Sequence, residues 1–237
     1  MYIRTFFGVV GAQHVGTTIS ILLIHTILNK DQALKFREQE RLNELNKTRI
    51  MLTQIKPHFI YNALNTIYYL CGTDPKTAQK AISEFSDYLR GNLDSLTTEE
   101  MIPFSKELEH IHHYLYLEKL RFDDELNVVY DITCKEFQVP ALSIQLLVEN
   151  AVKHGIGRKE GGGTLTISTS ENETSWIVQV RDDGVGFTPD MIEQTDERSH
   201  IGLTSMQERI RSAGGTVDIK SALDEGTVVT VTLPKTA

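Results

Sequence analysis

A histidine that directly follows a proline stands inside a long helical pattern, in the stretch QIKPHFIYNALN from Gln54 to Asn65. A proline inside a helix removes one backbone hydrogen bond and crowds the carbonyl group four residues earlier, at about 3 kcal/mol. Pro57 is therefore predicted to bend the helix and to turn the ring of His58 outward. On a 3.6-residue period, Asn62 lies on the same polar face as His58. Both residues are candidate catalytic residues.

The imidazole of His58 is suited to accept a phosphoryl group. Its ordinary pKa of about 6.5 leaves it mostly neutral near pH 7, so one ring nitrogen keeps a free lone pair without a strong base. The alternative is a surface histidine beside a bend in the helix. A nucleotide site elsewhere in the chain would favour the phosphoryl acceptor.

One candidate nucleotide stretch is LLVENAVKHG, residues 146–155. Its helical pattern places polar side chains opposite an apolar side. The amide oxygen of Asn150 can bind Mg²⁺, and Lys153 can meet phosphate. Glu149 is a candidate general base by its position beside Asn150, and a purely structural role is equally compatible with the sequence. His154 completes the polar side.

Two later stretches have the residue types that adenine and phosphate require. In RDDGVGF, residues 181–187, a strand ends in a carboxylate and two glycines, so the backbone can approach a flat ring while Asp182 accepts its amino hydrogens. In SHIGLTS, residues 199–205, the chain leads into a helix predicted from Thr204 to Ala213. Free amides at a helix start favour phosphate. Each stretch is weakly specific alone, but together and in this order they indicate an ATP site.

Two helices are predicted to carry His58. The first continues through Leu70 to Gly72, where Thr73-Asp74-Pro75 supplies a turn. The second covers residues 76–96. The pattern predicts two buried faces, which are Ile60, Leu64 and Ile67 on the first helix and Ala78, Ile82, Phe85 and Leu89 on the second. Two such helices form half of a four-helix bundle, so a homodimer is predicted.

The rest of the chain changes from helical to mixed periodicity. A further helix is predicted up to Phe122, and alternating residues then predict strands at 126–132, 164–170, 176–181, 216–221 and 227–233. A helix is predicted between Leu142 and His154. The fold class is therefore α+β, with a helical-hairpin dimerisation domain followed by an α/β sandwich in which helices cover one face of a mixed sheet.

The N-terminal region favours a membrane anchor. Residues 8–28 contain no charged side chain and are about as long as a membrane span, although a buried helix has the same pattern. More basic residues follow this segment than precede it, which predicts that the remainder lies in the cytoplasm, at the inner face of the cytoplasmic membrane. The net charge of −8 argues against a nucleic-acid partner.

Residues from about 50 to 233 resemble the LytS/YehU type of bacterial sensor histidine kinase. QIKPHFIYNALN is similar to the phosphoacceptor motif of that family, LLVENAVKHG to its N box, DDGVGF to its first glycine box and IGLTSMQERI to its second. The segment Glu225-Gly-Thr227 is similar to the end of its ATP lid. The resemblance implies an ATP-binding domain of the Bergerat (GHKL) type. Only Gly202 remains of a richer second glycine box.

The resemblance also implies a function. His58 would be phosphorylated from ATP, and the phosphoryl group would pass to an aspartate of a response regulator, often one with a LytTR DNA-binding domain. Asn150 would hold Mg²⁺, and Asp182 would bind adenine. The predicted ATP-binding residues are Asn150, Lys153, His154, Asp182, Gly184, Gly186, Gly202, Leu203 and Thr227.

Four regions follow from these patterns: 1–28 with the membrane segment, 29–53 as a signalling helix or coiled coil, 54–122 as the dimerisation and phosphoacceptor domain, and 123–237 as the ATP-binding domain. Two other functions are compatible with the sequence. One is an ATP-dependent conformational switch without kinase activity, and the other is a non-catalytic dimerisation scaffold.

Overall fold

The computed structural model describes residues 57–97, 101–188 and 197–235, together with residues 30, 32, 35–38 and 41, which are helical. The predicted membrane segment at residues 8–28, and the residues before Pro57 where the bend is predicted, lie outside this part of the chain. Among the described residues, no helix has the length and apolar character needed to cross a membrane.

The helical hairpin is confirmed. Helix α1 covers Pro57–Thr73 and helix α2 covers Pro75–Thr97. Asp74 ends one helix and begins the other, because its carboxylate accepts hydrogen bonds from the backbone N–H of Thr77 at 3.2 Å and from the Thr77 hydroxyl at 2.6 Å. Pro75 then occupies a first helical position, where its missing N–H costs nothing. The predicted turn is therefore capped by its own side chain.

The buried faces of the hairpin differ in part from the prediction. Helix α1 buries Phe59, Ala63 and Ile67, whereas Leu64 is 49% exposed. Helix α2 buries Ala78, Ala81 and Tyr88, whereas Ile82 is 48% exposed. The apolar stripes were wide enough to allow more than one orientation, and the small alanines and the aromatic rings determine which side packs inward.

A third long helix, α3, covers Phe104–Phe122 and packs against both helices of the hairpin. Two short strands flank it in space: β1 (Met101–Pro103) pairs antiparallel with β3 (Gln138–Pro140). Strand β2 (Leu126–Ile132) lies between them in the chain. The sequence did not predict β1 and β3, because three residues are too few to display a period.

The predicted mixed sheet is confirmed. It contains β2, β4 (Gly163–Glu171), β5 (Ser175–Asp182), β6 (Thr216–Ala222) and β7 (Gly226–Pro234) in the order β2-β4-β5-β7-β6. Only β2 and β4 are parallel, and the other neighbours are antiparallel. Helix α4 (Ser143–Asn150), a π-helical turn (Ala151–Gly155) and helix α5 (Glu197–Ser212) supply the remaining apolar side chains of the core.

Candidate functional site

A cleft opens between the end of α4, the π-helical turn and the sheet. The space within it is about 560 Å³, including the part that is open to solvent. Of the described residues, those that line it are Leu147, Asn150, Ala151, His154, Gly155, Val180, Asp182, Gly186, Phe187, Leu203, Ile219, Thr227 and Val229. The cleft thus has an apolar wall with a few polar groups, as a site for a flat ring requires.

Asp182 is the acidic residue of this cleft. It ends β5, and the two-residue period of a strand places it on the inward face with Val178 and Val180. Its side chain is only 3% exposed, and its Oδ1 accepts a hydrogen bond from the N–H of Gly184 at 3.0 Å. Burial raises the pKa of Asp182 to about 6. The carboxylate is therefore an acceptor that loses its charge in mildly acidic solution.

Glycines fit the backbone tightly around this carboxylate. A Cβ atom on Gly155 would lie 2.4 Å from Oδ1 of Asp182, and one on Gly184 would lie 2.2 Å from the backbone of Gly155. Gly186 has a φ of +60°, and a Cβ there would lie 1.9 Å from the carbonyl oxygen of Ala222. The sequence predicted that Gly184 and Gly186 allow the backbone to approach a ligand. In the structure they allow one backbone segment to approach another, which holds Asp182 in place.

The residues predicted on the N-box helix separate into two groups. Asn150 and His154 line the cleft. Lys153 is exposed on the π-helical turn and is not among the described residues that line it. Glu149 is buried on another side of α4, where its Oε1 accepts hydrogen bonds from the Tyr88 hydroxyl at 3.4 Å and from Nε2 of Gln145 at 2.9 Å.

The cleft was also tested for a fit to Mg²⁺. Among the described residues, no group of three or more histidine, cysteine, aspartate or glutamate side chains could hold a metal ion. Asn150 supplies one amide oxygen at the cleft. Mg²⁺ commonly keeps several water ligands and binds one or two protein oxygens together with substrate phosphates. One oxygen donor beside the cleft fits that mode.

The lid side differs from the prediction. Helix α5 begins at Glu197, seven residues before the predicted start at Thr204. Gly202 therefore lies inside the helix, and a single interior glycine costs only about 1 kcal/mol. Only the first four N–H groups of a helix lack partners within it, so the N–H groups at residues 202–205 donate to carbonyl groups of the same helix. Leu203 lies at the cleft, as does Thr227 at the start of β7.

His58 and Asn62 are brought together on α1 by the four-residue spacing. His58 is exposed, and Nδ2 of Asn62 lies 3.3 Å from Nδ1 of His58. The same Nδ2 lies 3.5 Å from Nε2 of His58, so the amide restrains the ring through contacts with both ring nitrogens. Neither residue is among the described residues that line the cleft. The acceptor candidate and the nucleotide candidate are therefore separate parts of the chain.

Comparison with known proteins identifies the family. Residues 46–126 match the family described as Histidine kinase, a segment that contains His58 and Asn62. Residues 141–237, which contain every residue that lines the cleft, match the family described as Histidine kinase-, DNA gyrase B-, and HSP90-like ATPase. The chain belongs to the histidine kinase family. The α+β fold of this family member is thus a helical region followed by an ATPase-type domain.

Three relatives show how this family member compares. The sensor histidine kinase YpdA of Escherichia coli is 37% identical over 90% of the chain, and the sensor protein LytS of Bacillus subtilis is 31% identical over 83%. The uncharacterized protein YwpD of Bacillus subtilis is 38% identical over 76% of the chain. The chain covers 38% of YpdA, 35% of LytS and 66% of YwpD. It therefore spans between about a third and two thirds of the length of these relatives.

Several residues of the site were missed by the sequence reasoning. Gly155 ends the N box and permits the close approach of Asp182. Gly226, with a φ of +84°, would place a Cβ 2.1 Å from the carbonyl oxygen of Asp182. Both glycines lie inside predicted motifs, Gly155 in LLVENAVKHG and Gly226 between Glu225 and Thr227. The signal for them is the glycine itself, which permits close contact between one motif and another. Phe187 supplies an aromatic ring at the cleft, and it is the last residue of the first glycine box.

Proposed function

We propose that this chain is a sensor histidine kinase that phosphorylates itself on His58 with ATP. The observation that carries the proposal is the cleft, because a buried carboxylate, an amide and an apolar wall meet in the segment that matches the ATPase family. Phosphoryl transfer requires mainly positioning and charge neutralisation. Asn150 would hold Mg²⁺ with the phosphate oxygens, and the ion would neutralise their negative charge.

The residues have separate roles in this proposal. Asp182 accepts the amino hydrogens of adenine, while the apolar wall, which includes Leu203, packs against the ring. Asn150 and His154 face the phosphates, and Thr227 borders the cleft beside Asp182. His58 is the nucleophile, and Asn62 restrains its ring while one of the ring nitrogens attacks the γ-phosphorus.

A homodimer would complete the helical hairpin. Apolar side chains remain exposed on both helices, including Tyr68 at 83% and Leu64 at 49% on α1 and Ile82 at 48% on α2. Burial of these side chains against a second copy would form a four-helix bundle. Leu64→Glu is expected to shift the protein toward the monomer in light scattering. Asn65→Glu, at another exposed position of the same helix, is the matched control, and an unchanged mass for Leu64→Glu would contradict this interface.

The phosphoryl group would then pass from His58 to an aspartate of a response regulator, of which a LytTR-type regulator is one class. Residues 8–28 would anchor the kinase at the cytoplasmic membrane, with His58 and the ATP site in the cytoplasm. The four regions given by the sequence fit this arrangement. Mixing labelled kinase with a regulator and following the loss of label from the kinase tests the transfer.

A conformational switch is the second candidate, and the position of α5 favours it. In the continuous helix from Glu197, backbone N–H groups donate to helical carbonyl groups. In a glycine-rich lid, the same groups would be available to phosphate. Incubation with γ-labelled ATP separates the candidates. Acid-labile, base-stable label on the protein supports phosphohistidine and the kinase, ATP binding without label supports the switch, and neither binding nor label supports a scaffold.

A further inference from the structure

Helix α4, which carries Asn150 to the cleft, is held at both ends by side chains from the helices before it. At its N-terminal end, the buried carboxylate of Glu107 from α3 accepts hydrogen bonds from the N–H groups of Leu142, Ile144 and Gln145 at 2.9 to 3.0 Å. At its C-terminal end, Glu149 accepts a hydrogen bond from the hydroxyl of Tyr88 on α2. Asn150 is the next residue after Glu149.

Tyr88 has a second contact that leads toward His58. Its ring lies 4.6 Å from the ring of Phe59, centroid to centroid, and the ring of Tyr114 lies 5.1 Å from that of Phe59. These three rings are buried. Phe59 follows His58 directly on α1, so a rotation or shift of α1 that moves one of them also moves the other. Tyr88 therefore contacts both the acceptor helix and the nucleotide helix.

The chemistry at this junction suits a link that responds to small displacements. The O···O distance of 3.4 Å between Tyr88 and Glu149 is longer than the 2.7–2.8 Å typical of such hydrogen bonds, so a shift of a few tenths of an ångström strengthens or breaks it. Burial and the nearby charge of Glu149 raise the pKa of Tyr88 well above its ordinary value. Its hydroxyl therefore stays protonated, and can donate, at neutral and moderately alkaline pH.

The surrounding polar groups fix this arrangement. Nε2 of Gln145 donates to Glu149 at 2.9 Å and to Oδ1 of Asn92 at 3.1 Å, and Nδ2 of Asn92 donates to the carbonyl oxygen of Tyr88 at 2.9 Å. A connected polar network inside an apolar core favours one relative position of the helices that share it. Helices α2 and α4 both contribute to this network.

We propose that Tyr88 is a positioning residue that fixes the acceptor helix α1 relative to the nucleotide helix α4, through its ring on Phe59 and its hydroxyl on Glu149. This inference rests on the proposed function. Glu149 then acts through Tyr88 and not as a general base. Reaction rates are sensitive to such positioning, because a displacement of about 1 Å at the reacting groups can cost on the order of a hundredfold in rate.

The test compares Tyr88→Phe with Tyr114→Phe in the full chain. The first removes the hydroxyl that binds Glu149 and keeps the ring on Phe59. The second removes a different hydroxyl from the same aromatic cluster and keeps the hydroxyl of Tyr88. For Tyr88→Phe, the maximal labelling rate is expected to fall roughly tenfold to a hundredfold with the KM for ATP nearly unchanged. The variant is expected to remain folded at the assay temperature, because Glu149 keeps the hydrogen bond from Gln145. Tyr114→Phe is expected to keep the wild-type rate.

A double variant tests the pairing. Glu149→Gln is expected to lower the maximal rate, and Tyr88→Phe combined with Glu149→Gln is expected to be no slower than the slower single variant, because both remove the same interaction. Additive losses would overturn the inference. A Tyr88→Phe variant that labels as fast as wild type would also overturn it. So would a variant whose lower rate is fully accounted for by its unfolded fraction at the assay temperature.

A second measurement does not depend on kinase activity. Hydrogen exchange of the amides at residues 57–73 is compared with and without ADP. In wild type, ADP is expected to change exchange in α1, and in Tyr88→Phe this change is expected to disappear. A protein that takes no label but shows the Tyr88-dependent change would reject the proposed function and keep the link. If ADP binds to wild type without changing exchange in α1, the inference is overturned, even where the protein is labelled.

Discussion

Protonation of Asp182 should control nucleotide affinity in mildly acidic solution. The pKa of this buried carboxyl is raised to about 6. In the proposed site, the ionised carboxylate accepts the amino hydrogens of adenine, whereas a protonated carboxyl is a poorer acceptor. Affinity is therefore expected to fall as the pH decreases through 6, and to be nearly constant above pH 7.

The size of the effect follows from this pKa. At pH 7 about nine tenths of the carboxyl groups are ionised, and at pH 5 about one tenth are ionised. If only the ionised form binds, the Kd for ADP rises about tenfold between pH 7 and pH 5.

Titration calorimetry with ADP at pH 5, 6 and 7 measures the effect, with Asp182→Asn as the control. The amide of Asp182→Asn cannot ionise. The Kd of this variant for ADP should therefore be higher than that of wild type at pH 7 and should lack this component of the pH dependence. Titration of the ADP phosphates in solution is common to both proteins and cancels in the ratio of their Kd values. A ratio that stays constant from pH 5 to pH 7 would refute the proposed role of Asp182.

Further expectations concern Glu107 and Gly155. Glu107→Gln leaves one acceptor oxygen for three N–H groups, so the free energy of unfolding measured in urea should fall by about 1–3 kcal/mol. Glu109→Gln, on the exposed side of α3, should have little effect. Equal losses in the two variants would contradict the capping role of Glu107. Burial raises the pKa values of Glu107 and Asp182 to about 6. Their contribution to the free energy of unfolding should therefore be largest below about pH 4 and should decrease as the pH rises through 6. Urea unfolding at pH 5 and pH 7 measures this decrease. Gly155→Ala should weaken ADP binding at least tenfold, since the new Cβ would collide with Asp182. Gly72→Ala, with open space around it, should bind ADP normally. Normal ADP binding by Gly155→Ala would show that the cleft tolerates a displacement of Asp182.

The elements with long, regular patterns could be predicted from the sequence. The Thr73-Asp74-Pro75 turn, the five strands of the mixed sheet and α4 were predicted within a few residues. Their periods extend over several residues, and capping and turn residues mark their ends. The predicted strand ended at residue 181, and the structure adds Asp182 as the last residue of β5, on its inward face.

The differences arise where local patterns leave more than one solution. The orientation of the hairpin depends on which side chains meet α3, so Leu64 and Ile82 were expected inside and lie at the surface. The start of α5 at Glu197 was missed because serine, histidine and glycine before Thr204 weaken a helix without ending it. The strands β1 and β3 are short and are stabilised mainly by pairing with each other.

The site shows the same division. The sequence indicated which motifs could bind ATP, since each motif is a local arrangement of residue types. The contacts between motifs are long-range, and none of them leaves a periodic pattern. Gly155 against Asp182, Glu107 against the start of α4, and Tyr88 against Glu149 all belong to this class.

The central claim is that His58 receives the γ-phosphoryl group of ATP. The direct measurement is labelling of His58→Gln with γ-labelled ATP beside wild type, with ADP affinity measured on the same preparations and His112→Gln as the matched histidine control. The account predicts that wild type and His112→Gln carry acid-labile, base-stable label, and that His58→Gln carries none while binding ADP as wild type does. Acid-labile label retained on His58→Gln would contradict the claim.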